Sequence, residues 1–92
     1  MKKVKYPYKP DYAVPPGATL KETLRVKSLS QAALARRTGL AEKTISQIIS
    51  GKAPITYKTA EKLEMVLGVS ASFWNAREHS YREQLREQEN QT

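Results

Sequence analysis

Along the chain, apolar residues recur three and four positions apart in five separate stretches, each bounded by a turn residue or a capping side chain. Leu20 and Leu24 lie one turn apart in a first predicted helix, Ala18 to Lys27, which Ser28-Leu29-Ser30 interrupts. Ser30 suits the N-cap of a second helix, where its hydroxyl can accept from an otherwise unpaired backbone N–H. That helix carries Leu34 and Ala35 inward and breaks at Thr38-Gly39-Leu40. Ile45, Ile48 and Ile49 mark a third helix, about Glu42 to Ser50, closed by Gly51. Its start is weaker, because Ala41 stands where a capping side chain is expected, and Glu42 offsets part of that through the helix dipole. After Pro54 and Ile55, Thr56 caps a fourth helix to about Leu67, with Ala60, Leu63 and Leu67 on its inner face and Gly68 at its end. Ser70 opens a last helix carrying Phe73, Trp74, Tyr81 and Leu85 before the pattern dissolves at residue 87.

The pattern predicts an all-α fold: a compact five-helix domain over residues 18–86, an irregular arm over 1–17 and a flexible tail over 87–92. The second and third helices form the distinctive part. Two short helices joined by a three- or four-residue turn containing Gly make a helix-turn-helix. Ala35 is small enough for the third helix to cross closely, and Gly39 accepts the positive φ of a sharp turn. With Ile45 and Ile48 plugging one side, Lys43, Thr44, Ser46 and Gln47 are left on the other.

Charge sharpens this picture. The chain has 92 residues and a formal charge of +7. Residues 1–62 hold thirteen Lys or Arg against four acids, and residues 63–92 hold three Arg against five Glu. A basic half joined to a mildly acidic helix predicts one side facing a polyanion and another facing protein. The arm, MKKVKYPYKPDYAVPPG, contains four of the five prolines and interleaves Tyr6, Tyr8 and Tyr12 with lysines. That mixture suits contact with nucleic acid or with a partner protein, and equally a ring or two packed on the domain.

Other classes of function find no support in the sequence. Cysteine is absent, so disulfides and thiolate metal sites are excluded. There is no apolar run long enough for a membrane span or a signal peptide, which makes the cytoplasm the expected location. His79 stands alone among Arg, Glu and Ser, whereas zinc needs three or four ligands. No nucleophile elbow, phosphate-cradling Gly loop or cluster of His residues occurs, so neither an enzyme nor a cofactor or metal site is expected.

The candidate chemistry is therefore DNA recognition. Lys43, Thr44 and Gln47 occupy exposed positions near the front of the third helix, the end that normally enters the major groove. Lys can donate to guanine O6 and N7, Gln can pair with adenine N6 and N7, and a Thr methyl can meet a thymine methyl. Ser46, Ser50, Lys52 and Thr56 flank that helix and suit phosphate contacts through hydroxyl, ammonium or backbone N–H donors. Thr56 is explained by its cap alone, and Arg36 and Arg37 by the dipole at the end of the second helix. Phe73 and Trp74, with Tyr81 and Leu85 further along, read as core or dimer seam.

The chain resembles the HigA family of antitoxins, within the lambda-repressor-like, xenobiotic-response-element class of helix-turn-helix proteins. The resemblance covers roughly residues 14–85 and rests on Pro16-Gly17-Ala18-Thr19-Leu20, Leu29-Ser30-Gln31, Leu34-Ala35 and Gly39-Leu40. Its most specific parts are Gly51-Lys52-Ala53-Pro54-Ile55-Thr56 and Leu67-Gly68-Val69-Ser70-Ala71-Ser72-Phe73-Trp74. The resemblance implies that Gln31 holds a backbone phosphate and braces the reading helix. It also implies a homodimer on a palindromic operator in double-stranded DNA, repression of its own operon, and binding to a RelE-like ribonuclease toxin encoded beside it. A regulator without a toxin, and a protein–protein adaptor that keeps the fold without DNA binding, are the alternatives. The arm with the outer side of the first helix is the surface this leaves for a toxin; removing residues 1–13 separates that role from a clamp on DNA.

Overall fold

The computed structural model describes residues 15–90, so the arm residues 1–14, with Tyr6, Tyr8 and Tyr12, and the last two residues lie outside it. Five helices follow one another among the described residues: α1 Pro16–Val26, α2 Gln31–Thr38, α3 Glu42–Ile49, α4 Tyr57–Leu67 and α5 Ala71–Asn90. The architecture is the all-α one expected. α3 packs against both α1 and α2, while α5 lies along α4 and reaches α1. Leu20, Leu24, Leu34, Ala35, Ile45, Ile48, Ile55, Ala60, Leu63, Leu67 and Trp74 form one buried cluster to which every helix contributes.

Three of the expected helix starts hold through their side chains. The Ser30 hydroxyl accepts from the Ala33 N–H at 3.0 Å, Thr56 from Thr59 at 3.2 Å, and Ser70 from Phe73 at 3.2 Å. α3 starts at Ala41 with no side-chain cap, as the sequence suggests. Gly39 takes φ +79°, and its N–H donates to the Ala35 carbonyl at 2.9 Å. Thr38 completes this turn: its buried hydroxyl donates to the Leu34 carbonyl at 2.8 Å and accepts from the Leu40 N–H at 3.2 Å.

Two helix bounds differ from the sequence reading. α1 begins at Pro16 rather than Ala18, because proline at the first helical position lacks only an N–H that would be unpaired there anyway. The Pro15 carbonyl accepts from Ala18 at 3.0 Å and opens the first turn. α5 continues through Asn90, past the residue at which the apolar pattern stops. Its later turns are made of good helix formers, with Arg82 paired to Glu78 at 2.6 Å and Arg86 to Glu83 at 2.9 Å.

α1 ends in a Schellman motif whose left-handed residue is Ser28, at φ 54°. The Leu29 N–H reaches the Leu24 carbonyl at 2.9 Å and the Ser28 N–H reaches Arg25 at 3.1 Å. A serine there bears the Cβ strain that glycine avoids. Ser28→Gly is expected to raise stability by about 0.5–1 kcal/mol, once glycine's larger unfolded-state entropy is set against the relief. A urea titration with an unchanged midpoint would show that the turn is not strained.

Candidate nucleic-acid interface

α3 is short, with eight residues, and its two sides have opposite characters. Ile45 and Ile48 are buried in the core. At 3.6 residues per turn, Lys43 and Gln47 lie about 40° apart and face away from Ile45 and Ile48, whereas Thr44 lies about 40° from Ile48, at the edge of the buried face. Lys43 is exposed, and Thr44 and Gln47 are half-buried. Thus Lys43 and Gln47 share one outward strip with the isoleucines behind it, and Thr44 borders that strip on its buried side.

The flanking candidates divide. Ser46 and Lys52 are exposed, and Gln31 is half-buried at the first turn of α2. Ser50 directs its hydroxyl to the Gln47 carbonyl at 3.1 Å. Thr56 accepts from Thr59 N–H and donates to the Thr59 hydroxyl at 3.1 Å. Both hydroxyls are therefore engaged within the fold. The Gln47 carbonyl also accepts from Lys52 N–H at 2.8 Å and Ala53 N–H at 3.1 Å, which fixes the chain as it leaves the reading helix.

Several residues of this region carry no signal in the sequence reading. Glu78 of α5 accepts from the Ile55 N–H at 3.0 Å and from Arg82 at 2.6 Å, tying the α3–α4 loop to the last helix. Its partner lies 23 residues away, so no local pattern could reveal it. Lys62 of α4 donates to the Thr38 carbonyl at 3.3 Å and supports the end of α2. Tyr57 is 79% exposed at the start of α4, beside Lys58; an aromatic following a cap is its only sequence mark.

The candidates on α5 also divide. Trp74 is fully buried, whereas Phe73 is 40% exposed and meets the Trp74 ring edge-on, with centroids 5.2 Å apart. Tyr81 and Leu85 are half-buried. The Tyr81 hydroxyl lies 3.8 Å from the position a Cβ on Gly51 would take, so α5 reaches the end of the reading helix. His79 faces Glu83 at 3.7 Å, one turn along α5. Among the described residues no group of three or more His, Cys, Asp or Glu could hold a metal ion, and no helix is long and apolar enough to cross a membrane.

Electrostatically, the strip is basic. Lys43 on α3 and Lys52 just after it are exposed, as is Lys58 in the first turn of α4, with Glu42 the acid in the first turn of α3. The ion pairs among the described residues lie on α1 and α5. Such a face attracts polyanions from solution before any specific contact forms.

Residues 20–74 match the helix-turn-helix family. Over 59 residues the chain is 36% identical to YddM, an uncharacterized HTH-type transcriptional regulator of Escherichia coli K12; the match covers 64% of this chain and 63% of YddM. The chain thus spans less than two thirds of that relative's length. Among solved structures, the antitoxin HigA of Pseudomonas aeruginosa, determined with the higBA promoter, is 30% identical with a TM-score of 0.72, covering 76% of this chain and 77% of HigA. PA4674 of Pseudomonas aeruginosa, in complex with its operator DNA, is 28% identical with a TM-score of 0.76, covering 80% and 81%. On the matched stretch and the similarity to HigA over most of both chains, this protein belongs to the helix-turn-helix family and, within it, to the HigA-type antitoxins.

Proposed function

We propose that this chain is a DNA-binding repressor and antitoxin that acts as a homodimer on a palindromic operator, represses its own operon and neutralises a RelE-like ribonuclease toxin. The observation that carries the DNA reading is the division of α3, with Ile45 and Ile48 in the core, Lys43 and Gln47 on the outward strip and Thr44 at its border. A single helix of this length spans only a few base pairs, so two-fold pairing on a two-fold site supplies the remaining specificity. Lys43, Thr44 and Gln47 read base edges. Gln31, Ser46 and Lys52 hold phosphates through side chains and Thr56 through its backbone N–H, since its hydroxyl is engaged internally. Ser50 drops out of the set, because its N–H donates to the Ser46 carbonyl at 3.0 Å and its hydroxyl to the Gln47 carbonyl at 3.1 Å. The dimer seam includes the exposed Phe73 with Tyr81 and Leu85 on the later turns of α5. Supporting the antitoxin role is the likeness to the Pseudomonas HigA solved with its promoter.

The test uses a duplex taken from directly upstream of the chain's own reading frame and a panel of its single-base variants. Lys43→Ala or Gln47→Ala should relax preference at one or two positions, each by about 1–3 kcal/mol of discrimination. Gln31→Ala or Lys52→Ala should weaken every sequence about equally. If both groups of variants change the preference profile alike, the division into base readers and phosphate clamps fails. Co-expression with the neighbouring gene tests the toxin: a tight complex and restored growth are expected, and independent proteins would remove the antitoxin role while leaving the repressor.

A further inference from the structure

The loop that follows the reading helix is held at both ends. At its near end the Gln47 carbonyl accepts from the Lys52 and Ala53 N–H groups. At its far end the Ile55 N–H donates to Glu78 Oε1 on α5 at 3.0 Å. Arg82 Nε donates to the other oxygen, Oε2, at 2.6 Å, so the carboxylate is oriented from the α5 side. The Glu78 side chain is only 14% exposed, which keeps water from competing freely for the same oxygens.

Burial of the Ile55 side chain fixes where that residue sits but leaves its peptide plane free to turn. The next N–H along the chain is that of Thr56, the phosphate donor in the reading above. Peptide units are planar, so once Glu78 anchors the plane carrying the Ile55 N–H, only the φ and ψ of Ile55 separate it from the plane carrying the Thr56 N–H. Beside the loop lies an open cleft of about 360 Å³, with Thr56 and Tyr57 on one wall and Asn75, His79 and Arg82 on the other. Toward that space the loop is restrained by the hydrogen bond to Glu78 rather than by packing.

From this geometry we infer that Glu78 is a positioning residue for DNA binding: through the Ile55 amide it sets the direction of the Thr56 N–H, and with it the grip on one phosphate per protomer. This rests on the DNA-binding reading above. Without the acceptor the Ile55 amide turns to water through the cleft, and binding DNA has to turn it back, so the cost falls on affinity as well as on folding. A phosphate carries no base identity, so every sequence loses alike. The helix proposed to carry the dimer seam thereby also supports the phosphate contact.

The experiment compares the full chain with Glu78→Ala, Glu78→Gln and Lys52→Gln, at a temperature where circular dichroism and sedimentation match the wild type. Binding to the upstream duplex and to an unrelated duplex of equal length is measured at about 50 and 200 mM salt. Ala and Gln remove the same negative charge, which by Coulomb's law alone would tighten DNA binding. Only Gln keeps an acceptor for the Ile55 N–H. Glu78→Ala should therefore bind both duplexes about tenfold more weakly, with the slope of log affinity against log salt reduced by about 0.9 for each phosphate lost. Glu78→Gln should restore both affinity and slope. Where Glu78→Ala fails to fold, Glu78→Asp takes its place, since it keeps the charge but is one methylene too short to reach the amide. A folded Ala or replacement Asp variant with wild-type affinity and slope overturns the inference, and so does a Gln variant as weak as either. If that occurs while Lys52→Gln weakens binding, the DNA reading stands and only the role of Glu78 falls. A wild-type chain with no salt-dependent binding to either duplex removes both.

Discussion

Gly17→Ala should cost this domain about 3 kcal/mol or more, an overpacking penalty at the upper end of what one methyl group can produce. A Cβ on Gly17 would stand 1.9 Å from the Ile48 carbonyl oxygen and 2.7 Å from the Ile49 Cα. These are backbone atoms, so no rotamer change can make room. α1 and α3 would have to separate, which opens the core around Leu20 and Ile48, both essentially fully buried. Against a total stability of about 5–15 kcal/mol for a domain, that loss is a large fraction. Thermal and urea unfolding followed by circular dichroism measure it directly. Because α3 would be displaced along with α1, DNA affinity should fall even at temperatures where the variant stays folded. A variant as stable as the wild type would mean that α1 and α3 can slide apart freely.

The second large effect is expected at Trp74. This side chain is fully buried on α5 within the cluster formed by all five helices. Trp74→Ala should cost about 3–5 kcal/mol, through lost burial and the cavity left behind. Among the described residues its indole N–H has no hydrogen-bond partner, so within them Trp74→Phe forfeits volume but no hydrogen bond. That variant should therefore lose only about 1–2 kcal/mol. The difference between the two is informative, because equal losses would require a polar contact at the indole nitrogen. Trp74 is also the chain's only tryptophan, so both variants need circular dichroism rather than fluorescence.

Helical spacing was enough to locate the core, and local chemistry enough to locate most caps. Leu20 and Leu24, Ile45 and Ile48, and Leu63 and Leu67 are buried where their periods place them. Ser30, Thr56 and Ser70 cap because a hydroxyl at a helix start is a short-range device, legible within four residues. α1 starts two residues before the predicted Ala18, because Pro16 and Gly17 carry no apolar period yet the first turn of a helix tolerates proline. The length of α5 was missed because its last turns bury little and so leave no apolar period, even though their residues favour helix. Phe73 and Trp74 are adjacent and both aromatic, so only the rotation of α5 against α4 decides which one enters the core. The outward strip of α3 followed from the isoleucines behind it. The links that steady its far end, Glu78 to Ile55 and Pro15 to Gly51, join residues distant in sequence and leave no mark in any local window.

The Glu78 link also bears on portability. The Ile55 amide, in the loop that follows the reading helix, finds its acceptor only on the middle of α5. Ile55 itself is buried, so without that carboxylate its N–H would face desolvation with no partner. The unit that can be moved intact between scaffolds is consequently larger than two helices and a turn. Grafting residues 30–51 alone would transplant the reading strip but leave behind the groups that hold its exit, and a fragment ending at Gly68 would lack both Glu78 and Trp74. In evolutionary exchange, as in engineering, the recombination boundaries compatible with a rigid reading helix lie outside α1 and beyond the second turn of α5.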